Sequence, residues 1–240
     1  MMKTFIKKLL LGKITEKDKV KFNLNPIQKR ILNIRAIWNN DHQDDNGIEK
    51  IMRLFLAITQ LVFPGVYIKY LAEKRGLGYQ DLAMDFYILL KVAFPILILM
   101  NGWQDYQIII WLMIYLLLET VLYIPTLIFA SDMLSRPRSY KRSMLLLFFN
   151  YLEIVISFGV LYSCGNHMNK PFVSWFDPIY FSMITSSSIG YGDFFPVTTY
   201  AKVLVSIEAL FFLSFVVLFL NFFSNKMKNK GYFDQESEEF

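Results

Sequence analysis

Five long apolar segments are the sequence feature that most restricts how this chain can fold. They lie at residues 54–72, 84–101, 107–130, 144–163 and 200–223. An α-helix needs about 20 apolar residues to cross the hydrocarbon core of a bilayer. Of all residues, 55% are hydrophobic and only 19% are charged, which fits membrane helices better than one large soluble core. We therefore predict an all-α, multi-pass membrane protein.

Basic residues around these segments predict which side of the membrane each part of the chain occupies. Cytoplasmic flanks of membrane helices carry an excess of Lys and Arg. Residues 1–53 hold twelve Lys and Arg against six Asp and Glu, and the 131–143 loop and the 224–240 tail also carry several basic residues. We therefore place all three in the cytoplasm and expect the protein in the cell membrane. The polar stretch between the last two apolar segments then lies on the outer side.

The segment at 54–72 differs from the others because Pro64-Gly65 interrupts it. Cytoplasmic placement of both the amino end and the 131–143 loop requires an even number of crossings between them. We therefore predict that 54–72 is an interfacial or re-entrant segment and that 84–101 is the first span. A full span at 54–72, with the amino end outside, is the alternative.

The residue types present exclude several other chemistries. A single cysteine, Cys164, excludes an internal disulfide framework, and the two histidines, His42 and His167, do not match the spacing of a metal site. No nucleophile–base pair, phosphate-binding loop or nucleic-acid recognition motif accompanies them in the sequence. We therefore expect neither an enzyme nor a nucleic-acid-binding protein, and no cofactor.

The sequence TSSSIGYGDFFP at 185–196 places a polar stretch with two glycines between two apolar segments. Gly190 and Gly192 can adopt backbone angles with positive φ that side chains disfavour. Alternation around these glycines lets successive carbonyl groups point the same way, and a ring of such carbonyls can replace the water shell of a cation. Ser188 would add a hydroxyl oxygen at the inner end, and Tyr191 would pack away from the ions. A plain polar turn between two helices is the alternative.

Residues 175–187, directly before this stretch, are predicted to form a short helix. Asp177 or Ser174 is a candidate for the cap at its amino end, and Pro178 fits the first turn. The carboxyl end of a helix carries partial negative charge. We therefore expect this end to point at the path of the cation.

The sequence SMITSSSIGYGDFFPVT resembles the pore signature of tetrameric potassium channels. Residues 144–223 are similar to the two-helix pore module of that family, which consists of an outer helix, a pore helix, a selectivity filter and an inner helix. The resemblance implies a potassium-selective channel in which four identical chains surround one pore. It implies a filter formed by Ser188, Ile189, Gly190, Tyr191 and Gly192, with K+ as the permeant ligand at the first four of these residues.

The same resemblance implies roles for residues around the filter. Asp193 would lie at the outer mouth. Tyr180 and Phe181 resemble the aromatic cuff that braces the filter together with Tyr191.

Three positions depart from the usual pattern of this family. Ser188 replaces a threonine, so the hydroxyl is retained and a packing methyl is lost. Ile184 occupies the place of a glutamate that some members have behind the filter, which leaves Asp193 without that partner. Phe212 occupies the place of a hinge glycine in the inner helix, so gating by a sharp bend at this point is not expected.

Two charged residues lie within the apolar segments at similar depth. Lys91 precedes the turn near residue 104 by thirteen residues, and Glu119 follows it by fifteen. At a rise of about 1.5 Å per residue their depths nearly coincide, and a charge inside the bilayer is stabilised by pairing. We therefore predict a Lys91–Glu119 ion pair, with Glu153 as the alternative partner. Glu208, in the last apolar segment, is predicted to support the filter from behind.

The predicted organisation has five parts. They are a basic cytoplasmic amino-terminal region (1–53, with an amphipathic helix at 25–38), amino-terminal membrane helices (54–130), a basic cytoplasmic linker (131–143), a potassium channel pore domain (144–223) and a short cytoplasmic tail (224–240). The linker residues Arg136, Arg138, Lys141 and Arg142 are predicted to contact anionic membrane lipid. A potassium transporter subunit and a non-conducting membrane scaffold are the alternative functions.

Overall fold

The computed structural model describes residues 25–40, 47–130 and 140–227, and helices dominate this part of the chain. In chain order the helices are α1 (Pro26–Asn39), α2 (Gly47–Val62), α3 (Pro64–Glu73), α4 (Leu77–Asn101), α5 (Gln107–Phe129), α6 (Tyr140–Ser163), α7 (Asp177–Ser186) and α8 (Thr199–Met227), with a short 3-10 turn at Trp103–Asp105. The predicted all-α fold class is confirmed. The chain divides into two compact units, residues 1–134 and 135–240.

Four helices, α4, α5, α6 and α8, are long and apolar enough to cross a membrane. They correspond to the predicted segments, although α4 begins earlier than expected, at Leu77. The pair α2 and α3 passes the same test only when the two helices are taken together, and they are bent by 62°. The protein is therefore a multi-pass membrane protein, and its described residues contain four candidate spans, or five if the bent pair crosses.

The bend between α2 and α3 lies where the sequence predicted a kink. Phe63 is in an extended conformation between the two helices, and Pro64 occupies the first turn of α3. Proline disfavours a helical conformation in the residue before it and supplies no amide hydrogen, which favours a break at this point. Pro95 and Pro125 lie inside α4 and α5 without such a break. The Tyr115 hydroxyl donates a hydrogen bond of 2.8 Å to the Val62 carbonyl at the broken end. The assignment of this pair as interfacial or re-entrant stays a prediction.

A polar cluster around Glu119 joins α3, α4 and α5 in the first unit. The Lys91 Nζ and Glu119 Oε2 atoms are 3.6 Å apart, and both side chains are largely buried. Glu119 also accepts hydrogen bonds from the Gly65 amide, at 3.0 Å, and from the Tyr87 hydroxyl. The predicted Lys91–Glu119 pair is therefore confirmed, whereas the alternative partner Glu153 belongs to the second unit. Shared hydrogen bonds of this kind offset the cost of charge at membrane depth.

The predicted amphipathic helix at 25–38 is confirmed as α1, which begins with Pro26 in its first turn. Its residue Ile37 is buried with Leu56 and Ala57 of α2. The Lys50 ammonium donates to the Trp38 carbonyl at 2.9 Å and so ties the start of α2 to the end of α1. Most of the basic region at 1–53 and of the linker at 131–143 lies outside the described residues.

The second unit packs α7 between α6 and α8. Its fully buried side chains include Ile154, Val160 and Tyr162 of α6 and Phe215 of α8. Gly159 faces the start of α7 so closely that a Cβ atom there would lie 3.0 Å from the Pro178 carbonyl oxygen. Small residues at helix contacts allow this kind of approach inside membranes, where packing rather than water exclusion drives association. The position of α7 therefore depends on the absence of a side chain at residue 159.

Candidate functional site

Residues 187–198, hereafter the signature loop, connect α7 to α8. Three residues in it have positive φ, namely Ser188 at 58°, Gly190 at 56° and Gly192 at 81°. They alternate with Ile189 and Tyr191, whose φ angles are not positive. The positive φ predicted for both glycines is confirmed, and the loop extends the same alternation to a serine. A non-glycine residue in this region costs about 1–2 kcal/mol, so surrounding contacts must hold Ser188 there.

Hydrogen bonds tie the beginning of the signature loop to the carboxyl end of α7. The amide of Ser187 donates to the Met183 carbonyl at 3.1 Å, and the amide of Ser188 donates to the Thr185 carbonyl at 3.0 Å. The amide of Ile189 donates to the Ile184 carbonyl at 2.9 Å. The alternating residues therefore follow directly from the end of α7, which carries partial negative charge from the peptide dipoles. A cation is the ligand that this end favours.

The amino end of α7 differs from the prediction in one respect. Pro178 lies in the first turn, as expected, but neither predicted residue caps the helix through its side chain, and Phe176 is the residue before it. Asp177 is already inside the helix, and its Oδ2 atom accepts from the backbone amides of Val173 at 2.8 Å and Ser174 at 2.9 Å. The carboxylate therefore closes the turn that leads into α7. It also remains at the positive end of the helix dipole, where negative charge is favourable.

Glu208 of α8 lies at the junction of all three helices of the second unit and is 1% exposed. The Tyr162 hydroxyl of α6 donates to Glu208 Oε2 at 2.7 Å. The Ser182 hydroxyl of α7 lies against Glu208 Oε1 and the Val155 carbonyl of α6. Buried polar groups need such partners because an unmade hydrogen bond costs more than a made one gains. The cluster therefore fixes the relative positions of the three helices directly behind the signature loop.

Tyr151 of α6 contacts both α7 and α8. The hydroxyl groups of Tyr151 and Ser186 are 3.0 Å apart. The Tyr151 ring lies 5.3 Å from the ring of Phe215 and 6.2 Å from that of Phe212. Phe212, the residue in the hinge-glycine position, is therefore part of an aromatic contact between α6 and α8.

The aromatic residues of α7 face in two directions. Phe181 is 3% exposed and meets the Tyr162 ring edge-on at 4.9 Å, on the side of α6. Tyr180 instead reaches the middle of the signature loop, where its hydroxyl is a hydrogen-bond partner of the Asp193 carboxylate. Partial desolvation and the charge of Asp193 raise the pKa of the Tyr180 hydroxyl, which keeps it a donor. The aromatic cuff with Tyr191 stays a prediction.

The partner of Asp193 was missed by sequence reasoning, which expected this carboxylate to lack one because residue 184 is Ile. Tyr180 supplies the missing donor from one turn earlier in α7. The sequence contained a signal for this contact, because a tyrosine one helical turn before residue 184 has a side chain long enough to reach the same carboxylate. A second missed feature is a set of contacts between residues 167–172 and the end of the signature loop.

The basic residues predicted to contact lipid are described only in part. Arg136 and Arg138 lie outside the described residues. Lys141 is exposed at the start of α6, and Arg142 beside it is half-buried. The lipid contact stays a prediction.

Comparison with known families gives a match in the second unit. A family model described as an ion channel matches residues 149–229. Comparisons with curated proteins and with solved structures gave no match. The matched residues contain α7, the signature loop and every contact around them described above.

Proposed function

We propose that this protein, whose residues 149–229 form a two-helix ion channel domain, is a potassium-selective channel through which K+ flows passively. The observation that carries the proposal is the alternation of positive φ at Ser188, Gly190 and Gly192, directly after the carboxyl end of α7. Alternation of this kind lets successive carbonyls point to the same side. Carbonyl oxygens in such a row replace the water around a dehydrated K+ ion.

The filter in this proposal consists of Ser188, Ile189, Gly190, Tyr191 and Gly192. K+ binds at the first four of these residues, and the hydroxyl of Ser188 contributes the innermost oxygen. No chemical conversion takes place, because the protein supplies only a path and a set of oxygen ligands.

Four copies of the chain are required to complete this filter. One chain contributes one signature loop, and a single row of carbonyls cannot surround an ion. In the single chain, the side chains of Ile189 and Tyr191 are 55% and 71% exposed. A Cβ atom added at Gly190 or Gly192 would meet nothing within 4 Å. These open surroundings support a loop that is covered by neighbouring copies in a homotetramer.

Four residues of the same chain support the filter in this proposal. Glu208 braces α7 from behind through Ser182 and Tyr162. Tyr180 holds Asp193 at the outer mouth, and Phe181 anchors α7 to the outer helix α6. These side chains contact α7 or the signature loop. They therefore support the filter without binding K+ themselves.

The membrane placement follows the distribution of basic residues. The amino-terminal region and the linker would lie in the cytoplasm, with the filter mouth outside, in the cell membrane. Lys141 and Arg142, together with Arg136 and Arg138, would contact anionic lipid headgroups. Flux in vesicles with anionic lipid is therefore expected to exceed flux in neutral vesicles.

Flux through the purified protein in vesicles tests the proposal. We expect K+ flux to exceed Na+ flux strongly, and a particle with fourfold symmetry. Gly190→Ala is the informative variant, since Gly190 has φ 56° and a side chain disfavours this backbone angle. Loss of K+ preference is expected for this variant, whereas Val173→Ala, at a side chain that is 94% exposed, serves as the control.

Three results would overturn the proposal. Equal flux of Na+ and K+ would refute potassium selectivity. No flux from an intact assembly would favour the non-conducting scaffold. Uphill K+ accumulation coupled to another ion would favour the transporter subunit.

A further inference from the structure

Asn169 lies in the loop between α6 and α7 and makes three hydrogen bonds to the end of the signature loop. Its Oδ1 atom accepts from the Phe195 amide at 2.9 Å, and its Nδ2 atom donates to the Asp193 carbonyl at 3.3 Å. Its own backbone amide donates to the Phe195 carbonyl at 3.0 Å. One side chain therefore holds both the carbonyl of Asp193, the first residue after Gly192, and the amide of Phe195, two positions further on.

Neighbouring residues extend this contact into a small antiparallel pairing. Met168 and Pro196 form an isolated bridge. The Val197 amide donates to the His167 carbonyl at 3.0 Å. We call the contacts of residues 167–172 with residues 193–198 the outer clamp.

Aromatic and cationic contacts cover the outer clamp. The rings of Phe172 and Phe194 are 5.0 Å apart, and the Lys170 ammonium lies 4.4 Å from the centre of the Phe194 ring. The His167 ring bonds to the Thr198 hydroxyl at 3.1 Å and contacts the Tyr200 ring. The clamp thus joins the two ends of a closed stretch of chain, because α7 and the filter residues lie in sequence between its two segments.

We propose that Asn169 is a positioning residue that sets the outer end of the selectivity filter. This inference rests on the proposed potassium channel function. The alternating φ values fix the inner and middle residues of the filter, but the direction in which the chain leaves Gly192 depends on the Asp193 peptide. Asn169 holds the Asp193–Phe194 peptide by the Asp193 carbonyl oxygen. Without this bond the Asp193 backbone would be free to turn the preceding Gly192–Asp193 peptide, which would displace the outer end of the filter.

Asparagine suits this place because its amide has both an acceptor and donors. Both are used here, on Phe195 and on Asp193 respectively. Asn169→Asp keeps the acceptor but loses the donor and sets a carboxylate against a carbonyl oxygen. Asn169→Ala loses both side-chain bonds while the backbone bond to Phe195 remains.

The test measures K+ and Na+ flux of the full chain in vesicles for Asn169→Ala and Asn169→Asp. Asn166→Ala is the matched control, since Asn166 is an exposed asparagine in the same loop. We expect Asn169→Ala to lower the K+/Na+ flux ratio about tenfold, which corresponds to about 1.4 kcal/mol. Asn169→Asp should also lower the ratio, and Asn166→Ala should leave it unchanged.

Thermal denaturation of the assembly in K+ and in Na+ separates positioning from general stability. A ligand that binds only the folded state raises its stability, so filter-bound K+ should raise the melting temperature above that in Na+. A positioning role predicts that the Asn169 variants lose this difference. A merely structural role would lower the melting temperature in both salts alike and leave the flux ratio unchanged.

The outcomes distinguish this inference from the function on which it rests. A wild-type protein without K+ preference refutes the proposed function. A selective wild type whose ratio is unchanged in Asn169→Ala refutes the role of Asn169 alone. If Asn169→Ala does not assemble, the flux ratio of Asn169→Asp decides in the same way.

Discussion

Gly159→Ala is the substitution whose effect can be worked out most directly from the structure. A Cβ atom at this position would lie 3.0 Å from the Pro178 carbonyl oxygen, 3.1 Å from the Pro178 carbonyl carbon and 3.2 Å from the Ile179 amide nitrogen. All three atoms belong to the backbone at the start of α7, so no side chain can rotate away. The outer helix α6 and α7 must therefore separate by a few tenths of an ångström.

Two effects of opposite sign compete in this variant. Alanine is favoured over glycine inside a helix by about 1 kcal/mol. Overpacking of a well-filled contact costs about 1–3 kcal/mol. Because the contact is with backbone, we expect the second effect to dominate and the variant to be less stable by up to about 2 kcal/mol. Displacement of α7 should also disturb the cluster of Ser182, Tyr162 and Glu208 and lower the K+/Na+ flux ratio.

Thermal denaturation and vesicle flux measure both consequences. Leu145→Ala is the control, because Leu145 lies on the same helix and its side chain is 53% exposed. We expect that variant to assemble and conduct as the wild type does. If Gly159→Ala proves more stable than the wild type by the amount that helix propensity alone predicts, with an unchanged flux ratio, the close approach of α6 and α7 is not what positions the filter.

Two further predictions concern the buried clusters. Glu208→Gln should keep the flux ratio, since a glutamine amide can accept from Tyr162 and donate to Ser182. Glu208→Ala should lower the ratio and reduce stability by about 1–3 kcal/mol, because the buried Tyr162 hydroxyl loses its acceptor while Ser182 keeps the Val155 carbonyl. Equal behaviour of the two variants in flux and melting would contradict a bracing role. Lys91→Glu and Glu119→Lys should each reduce the yield of folded protein, because removing one partner of a buried pair costs about 3–5 kcal/mol. The double variant should recover only part of that yield, since a lysine at 119 cannot accept from the Gly65 amide; a double variant no better than the single ones would refute the pair.

Sequence reasoning succeeded where the physical cause is local or follows from fixed helix geometry. The break at Pro64 was indicated by a Pro-Gly pair, whereas the prolines at 95 and 125, which no glycine follows, lie inside continuous helices. The positive φ of Gly190 and Gly192 is allowed by the absence of a side chain. The Lys91–Glu119 pair followed from the constant rise per residue in two helices joined by a short turn. The first two features are determined by a few neighbouring residues, and the third by the regular geometry of two helices joined by a short turn.

Contacts between elements that are not related by one short turn between two helices were beyond the reach of the sequence. Tyr162 and Glu208 are 46 residues apart, and Asn169 and Phe195 are 26 apart. No periodicity or composition relates such pairs, because their approach depends on how three helices cross. The cap expected at Ser174 or Asp177 failed for a related reason. The geometry of a cap depends on which residue is the first in the helix. Here Asp177 is itself the first helical residue, and its carboxylate accepts from the backbone of the preceding turn instead.

The serine in place of the family's threonine has an explanation in the backbone. Ser188 has φ 58°, a region in which β-branched residues are strongly disfavoured because their second Cβ substituent crowds the backbone. Serine keeps the hydroxyl without this branch. The missing methyl group therefore allows residue 188 to adopt the positive φ that the alternating conformation of the loop requires.

Ser188→Thr tests this explanation, because it restores the usual residue of the family. If only packing mattered, the variant would gain stability and selectivity. The backbone argument predicts the opposite, a smaller rise in melting temperature on replacing Na+ with K+ and a lower K+/Na+ flux ratio. The control is Ser187→Thr, at the exposed neighbouring residue where φ is −82°, which should change neither quantity. A Ser188→Thr variant that matches or exceeds the wild type in both measurements would show that residue 188 is free to leave the left-handed region when K+ is bound.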